Sequence, residues 1–171
     1  GADSRMNPVV IDTNVCLVAN GRHAQANPSC VMRCIDSLMD ARTRTVVIDE
    51  GYLILEEYQR HLSFSGQPNV GDAFFKWLWD NHCNDRHCQR VRLTPLADPH
   101  RAFEEFPDDP ALVAFDRSDQ KFVAVALASS LDPEVLNASD SDWWNTREAL
   151  ISHGLHLTFL CPELMGVTPR G

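Results

Sequence analysis

The sequence predicts an α/β fold, a three-layer α/β/α sandwich around a central, mainly parallel sheet of about five strands. Short β-branched runs such as Val9–Ile11 and Thr45–Ile48 are too brief for helices and have the composition of buried parallel strands. The longer segments between such runs have helical periodicity. Helices that connect successive strands produce parallel sheets covered on both faces.

Composition bounds the size and class of the protein. The 171 residues are 44% apolar and 23% charged, and we expect a single domain over 1–171 in which 1–6 are disordered or a tag remnant. No apolar run is long enough for a membrane span, so we expect no membrane partner and a cytoplasmic location. Several of the six cysteines lie in apolar helical patterns, which favours reduced thiols over a disulfide framework.

The net charge of −9 argues against a wide surface for nucleic acid. It does not exclude an enzyme that acts on nucleic acid, because carboxylates that hold a metal ion count as negative in the formal sum. The charge therefore limits the extent of a binding surface and leaves the substrate class open.

Strand and helix signals alternate along the first third of the chain. A short helix over Asn14–Asn20 follows the first strand, and Asn27 and Pro28 have the residue types of the N-cap and first position of a second helix. That helix is amphipathic, with apolar residues at i, i+3, i+4, i+7 and i+8: Val31, Cys34, Ile35, Leu38 and Met39. Thr45–Ile48 is the second strand and Gly51–Leu62 the next helix.

The middle of the chain, residues 63–115, is an extended segment. It contains an aromatic helix over Asp72–Trp79, a short third strand over Val91–Leu93 and a proline-rich loop. His82, Cys83, His87 and Cys88 lie between the helix and the strand. They invite a zinc interpretation but lack the usual paired ligand spacing, so a polar loop is favoured.

The last third of the chain contains two more strands. Asp119 opens a helix with four apolar residues on one face: Phe122, Val123, Ala126 and Leu127. Val135–Ala138 forms a strand, Trp143–His153 a helix that Gly154 ends, and Leu155–Leu160 the last strand.

Acidic residues occupy three junctions between these elements. Asp12 ends the first strand, Asp116 and Asp119 precede the alanine-rich helix, and Asp140 and Asp142 follow the fourth strand. Because the carboxyl ends of parallel strands share one edge of a sheet, we expect these side chains to lie close together. Such a cluster repels itself without a cation, and oxygen ligands favour Mg²⁺ or Mn²⁺ over Zn²⁺.

The helix over Gly51–Leu62 contributes a fourth acidic candidate. Glu57 lies on the same side of the helix as its apolar residues and is predicted to point inward, whereas Glu56 points about a quarter-turn away. Glu50, at the strand end, is the reserve. Taken singly, each of these acids has an ordinary explanation as a strand end, a helix N-cap, a turn residue or a solvated helix residue.

Two further groups are candidates for contact with nucleic acid. Arg117 and Lys121 flank Asp119 and are predicted to contact substrate phosphate. The aromatic helix carries side chains that stack on bases in some proteins, although core packing is the commoner role. These side chains are Phe74, Phe75, Trp77 and Trp79.

Four segments resemble, in order and spacing, the PIN-domain family of metal-dependent ribonucleases: VVIDTNV, ILEEY, DQKFVAVALAS and NASDSDW. The resemblance extends from Val9 to about Pro162 and implies a PIN-like sandwich. It also implies that Asp116 or Asp142 is an outer or second-metal ligand, and that Thr13 or Asn14 supports the site by hydrogen bonding. The catalytic quartet that it implies is Asp12, Glu57, Asp119 and Asp140.

The leading functional interpretation is a Mg²⁺- or Mn²⁺-dependent nuclease, more specifically an endoribonuclease, in which metal-activated water attacks a phosphodiester. A non-catalytic PIN-like RNA-binding or scaffold module is the alternative. A phosphohydrolase of the haloacid dehalogenase type would need a second Asp two positions after Asp12, where this chain has Asn14. A homo-oligomer and an inhibitory protein partner are both left open.

Overall fold

The computed structural model describes residues 7–63 and 65–165 and has an α/β/α architecture. Its five strands form one sheet in the order β3-β2-β1-β4-β5, with every neighbouring pair parallel. The predicted fold class is therefore confirmed; the expectation for residues 1–6 lies outside the described part. The strands are β1 Val9–Ile11, β2 Val46–Asp49, β3 Cys88–Val91, β4 Glu134–Asn137 and β5 His156–Phe159.

Seven α-helices lie in the described part of the chain and cover the sheet. None of them is long and apolar enough to cross a membrane. Asn27 caps α2 by accepting a hydrogen bond from the Cys30 amide at 2.8 Å, as its residue type predicts. The helices are α1 Thr13–Ala19, α2 Pro28–Ala41, α3 Leu53–His61, α4 Val70–Asn81, α5 Gln120–Ala128, α6 Ser141–Asn145 and α7 Arg147–Ser152.

Strand β1 lies at the centre of the sheet because its three side chains are apolar on both faces. All three are buried, and the strand pairs with β2 on one side and β4 on the other. Ile11 is opposite Leu136 in this register. The two strands therefore end side by side, and the residues that follow them meet at the same edge.

Two elements differ from the predictions by more than one or two residues at an end. Strand β3 begins three residues before the predicted Val91–Leu93, because Cys88–Val91 pairs along the whole of β2. The predicted helix over Trp143–His153 is divided into α6 and α7 at Thr146, whose hydroxyl donates to the Asp142 carbonyl at 2.8 Å. A threonine hydroxyl that bonds the preceding turn competes with the backbone ladder and favours such a break.

The buried face of α2 is also rotated from the predicted one. Met39 is 60% exposed, whereas Cys30, Cys34 and Leu38 are buried. Cys30 forms a disulfide with Cys161, which follows β5, so the expectation of reduced thiols is wrong for this pair. The chain places these two cysteines 131 residues apart, and only the packing of α2 beside the β5 end brings them together.

Candidate metal centre at the carboxyl edge of the sheet

Three aspartates from three separate segments converge beyond the ends of β1 and β4. Asp12 follows β1, Asp140 follows β4, and Asp119 precedes α5. Each offers one carboxylate oxygen, and the three oxygens all lie within 4.8 Å of one another. The predicted juxtaposition of these residues is therefore present, and it follows from the pairing of β1 with β4.

Helix capping orients two of the three carboxylates. Asp12 Oδ1 accepts a hydrogen bond from the Asn14 amide at 3.3 Å, and Asp140 Oδ1 accepts one from the Asp142 amide at 2.9 Å. Asp119 occupies the position before α5 but makes no capping hydrogen bond with its side chain. Capping therefore does not explain the residue type at 119.

Burial and mutual repulsion perturb the acidity of the cluster. Asp12 is 4% exposed; burial, followed by the neighbouring Asp119 and Asp140 charges, raises its pKa well above the ordinary value. Burial, and then Asp140 and Asp116, raise the pKa of Asp119 to about 7. The pKa of Asp140 is raised chiefly by burial. A cation among these oxygens would offset the cost of ionising all three.

Asn137, the last residue of β4, links Asp12 to the backbone of Asp140 and was not predicted from the sequence as a site residue. It is fully buried, and its Nδ2 donates to Asp12 Oδ2 at 2.9 Å. Its Oδ1 accepts from the Asp140 amide at 2.8 Å and from Asn14 Nδ2 at 3.4 Å. The sequence signal for this role is an asparagine directly after the apolar residues Val135 and Leu136. A buried amide at a strand end needs hydrogen-bond partners, so it indicates polar neighbours there.

Glu57 lies beside the aspartates but has other partners. It is 7% exposed, as its predicted inward direction requires, and it accepts a short hydrogen bond from the Thr13 hydroxyl. Its Oε1 is 2.6 Å from the ammonium of Lys121, which is also buried. The packing of α3 against α5 brings the two charges together, and the phosphate contact predicted for Lys121 stays a prediction.

The remaining predicted residues border the cluster. Asp116 Oδ1 accepts from the amide and hydroxyl of Ser118, and Asp142 Oδ2 accepts from the Asp116 amide at 2.8 Å. Arg117 is exposed and donates to the Asp98 carbonyl at 2.8 Å. Asn14 Oδ1 accepts from the Ala138 amide at 3.1 Å, which ties α1 to the end of β4.

The His82–Cys88 segment does not assemble as a metal site. Within residues 7–63 and 65–165, sets of three ligand atoms lie close together among the three aspartates and among Cys30, Cys34 and Cys161, and neither set includes this segment. Cys88 is buried in β3, and His82 contacts Tyr52 and Trp79. Of the four aromatic residues of α4, Phe74 and Phe75 are buried in the core, Trp77 packs partly against it, and Trp79 is exposed.

Comparisons with protein-family models, with curated proteins and with solved structures find no match for this chain. The geometry of the aspartate cluster and the four segments that resemble PIN domains are therefore what indicate a function for this chain.

Proposed function

We propose that this chain is a divalent-metal-dependent nuclease of the PIN-domain type that hydrolyses phosphodiester bonds, with RNA as its substrate. The observation that carries the proposal is the convergence of Asp12, Asp119 and Asp140, with one oxygen from each within 4.8 Å of the others. Three carboxylates from three segments, with the pKa values of Asp12 and Asp119 raised first by burial and then by neighbouring carboxylates, are costly to ionise together in the absence of a cation.

The donor set fits a hard divalent ion. All three ligand atoms are carboxylate oxygens, which suit Mg²⁺ or Mn²⁺ better than Zn²⁺. When bound, such an ion would lower the pKa of a water molecule and stabilise negative charge on a phosphodiester. This chemistry requires no histidine base, and the described hydrogen bonds of the three aspartates include none to histidine.

The surrounding residues hold the carboxylates in place. Asn137 fixes Asp12 from one side and the Asp140 backbone from the other, so the ends of β1 and β4 keep a constant spacing. The Thr13–Glu57–Lys121 chain fixes Glu57 beside the cluster, where the Glu57 charge adds to the repulsion on Asp119 and the Lys121 charge offsets only part of it. Both features support a preorganised anionic pocket for a cation.

The test is cleavage of a labelled single-stranded RNA and a structured RNA in Mn²⁺, Mg²⁺ or EDTA. We expect metal-dependent cleavage by the wild type and a loss of at least about 100-fold in Asp12→Asn, because losing even a group that only supports a metal ligand costs about 10- to 100-fold. Asp36→Asn, an exposed carboxylate on α2, is the matched control and should keep wild-type activity.

Cleavage that survives in Asp12→Asn would contradict the proposed site. Binding of both metal and RNA by the wild type with no cleavage of either RNA would favour the non-catalytic RNA-binding module. Accumulation of a phospho-aspartate would favour the haloacid dehalogenase type. That type needs an acidic side chain at position 14. The side chain of Asn14 instead forms hydrogen bonds with Asn137 and Ala138.

A further inference from the structure

A pocket of about 550 Å³ opens beside the aspartate cluster. The lining residues come from α3, from the middle segment and from the segment that leads into α5, and include two carboxylates: Leu53, Glu56, Arg60, Ala102, Phe103, Asp116, Arg117, Ser118 and Lys121. Lys121 is the residue paired with Glu57, and the charges of Asp116 and Glu57 both act on Asp119. Asp116 and Lys121 therefore connect the pocket with the cluster.

The pocket presents two arginines whose guanidinium groups are accessible. Arg60 is exposed and has no hydrogen bond or ion pair from its side chain to any other residue of the described chain. Arg117 uses one nitrogen on the Asp98 carbonyl and leaves the others available. Guanidinium groups bind phosphate, so two accessible arginines on one pocket favour the approach of a polyanion to a protein whose net charge is −9.

The pocket also has an apolar part, formed by Leu53, Ala102 and Phe103. Leu53 is 37% exposed, and Phe103 and Ala102 line the same pocket. Apolar and aromatic surfaces bind the faces of unpaired bases without reading sequence, whereas a base within a duplex is covered by its stacked neighbours. The volume is within the range of pockets that take small organic groups.

We propose that this pocket binds one nucleotide of a single-stranded polynucleotide, next to the phosphodiester that lies at the aspartate cluster. Arg60 and Arg117 bind a phosphate of that strand, and Leu53 and Phe103 contact the base. This inference rests on the proposed nuclease function for the identity of the polymer. To the phosphate contact already predicted for Arg117, it adds Arg60 as a second phosphate-binding residue, a contact of Leu53 and Phe103 with the base, and a preference for unpaired substrate.

The test measures binding without turnover. Fluorescence anisotropy of a labelled single-stranded RNA is recorded with EDTA and with Ca²⁺ over a range of salt concentrations, for the wild type, Arg60→Gln, Arg117→Gln and Arg86→Gln. Arg86 is the matched control. It is exposed and precedes β3, so it lies at the amino ends of the strands, whereas the aspartate cluster lies at their carboxyl ends. We expect Arg60→Gln and Arg117→Gln each to weaken binding about 3- to 10-fold and to reduce the salt slope by about 1, with no change for Arg86→Gln.

The base contact is tested with Leu53→Ala, whose folding is checked by thermal unfolding. It should weaken binding of single-stranded RNA about 3- to 10-fold and leave binding of a duplex of the same sequence unchanged. A single-stranded DNA arm tests whether the sugar matters to the same contacts. Equal binding by the wild type and by the Arg60→Gln/Arg117→Gln double variant, or no binding by the wild type in either condition, would overturn the inference.

The two proposals fail separately. Arginine-dependent binding by a protein that cleaves neither RNA would support the nucleotide pocket and contradict the nuclease function. Cleavage that is lost in Asp12→Asn but unchanged in Arg60→Gln, Arg117→Gln and Leu53→Ala would support the nuclease function and contradict the nucleotide pocket.

Discussion

At the scale of single residues, electrostatic repulsion between carboxylates is concentrated at the cluster of Asp12, Asp119 and Asp140. Burial and the neighbouring carboxylates raise the pKa of Asp12, and that of Asp119 to about 7. A carboxyl group with a raised pKa in the folded state binds its proton more tightly there than in the unfolded chain. Its contribution to folding is complete below about pH 4 and is lost as the pH rises through about 7.

The first prediction concerns this pH dependence. In EDTA, we expect Asp119→Asn to be more stable than the wild type at pH 8 by about 2 kcal/mol, because it removes one charge from the cluster. The difference should shrink towards pH 5. Urea unfolding at both pH values measures it, with Asp36→Asn as the control.

The same measurement in Mg²⁺ or Mn²⁺ should reverse the order. The ion stabilises the wild type by binding only the folded state, and Asp119→Asn loses that gain. If the wild type were already more stable than Asp119→Asn in EDTA at pH 8, the repulsion argument would be wrong.

A second prediction concerns Asn137. Asn137→Ala removes the donor to Asp12 Oδ2 and the acceptor of the Asp140 amide, and leaves both buried groups short of a partner. We expect a loss of about 1–3 kcal/mol in the free energy of unfolding and a loss of cleavage activity. Asn137→Asp keeps the shape but cannot donate when ionised, so in EDTA it should be less stable than wild type at pH 8. Unchanged unfolding of both variants would contradict the role of this amide.

At the scale of secondary-structure elements, α3 and α5 are held together by a buried ion pair. Lys121 and Glu57 are both buried, and their charged atoms are 2.6 Å apart. Breaking a buried pair leaves one uncompensated charge, whereas an exposed pair is screened by water. Lys76 and Asp80, on the exposed face of α4, provide the comparison within the same chain.

The third prediction follows from this pair. Lys121→Met should cost about 3–5 kcal/mol in the free energy of unfolding, and the Lys121→Met/Glu57→Leu double variant should recover most of it. Lys76→Met should change stability by less than about 1 kcal/mol. Chemical denaturation of the four proteins is the measurement, and additive effects in the double variant would show that the two charges are not coupled.

At the scale of the whole molecule, one disulfide closes most of the chain. Cys30 and Cys161 are separated by 131 residues, so their bond joins α2 to the segment after β5. The same segment is bonded to the end of β4, since the Cys161 amide donates to the Ala138 carbonyl at 2.9 Å. A cross-link over so long a loop restricts the unfolded chain strongly.

The fourth prediction is that reduction, or Cys30→Ser, lowers the free energy of unfolding by about 2–5 kcal/mol. Cys83→Ser is the control, because Cys83 is an exposed free thiol. Thermal unfolding with and without a dithiol reductant measures the effect, and mass spectrometry of the alkylated protein verifies the bond. Equal stability of the oxidised and reduced protein would contradict the proposed contribution.

The sequence alone determined most of the local structure and the residues of the cluster. Apolar β-branched runs specify buried strands because both faces need apolar contacts, and acidic residues directly after them point to the carboxyl edge. Asp12, Asp119 and Asp140 were therefore identifiable before the strand order was known. Val9–Ile11 matches the observed strand, since Pro8 and Asp12 bound it on both sides.

The tertiary structure decided what depends on partners distant in the chain. The position of β3 follows from pairing with β2, the Cys30–Cys161 bond from helix packing, and the role of Lys121 from its distance to Glu57. A polar residue on a helix can face solvent, a ligand or another buried charge with the same local pattern. Only the packing of one element against another selects among these, because local sequence encodes periodicity and not the identity of the neighbour.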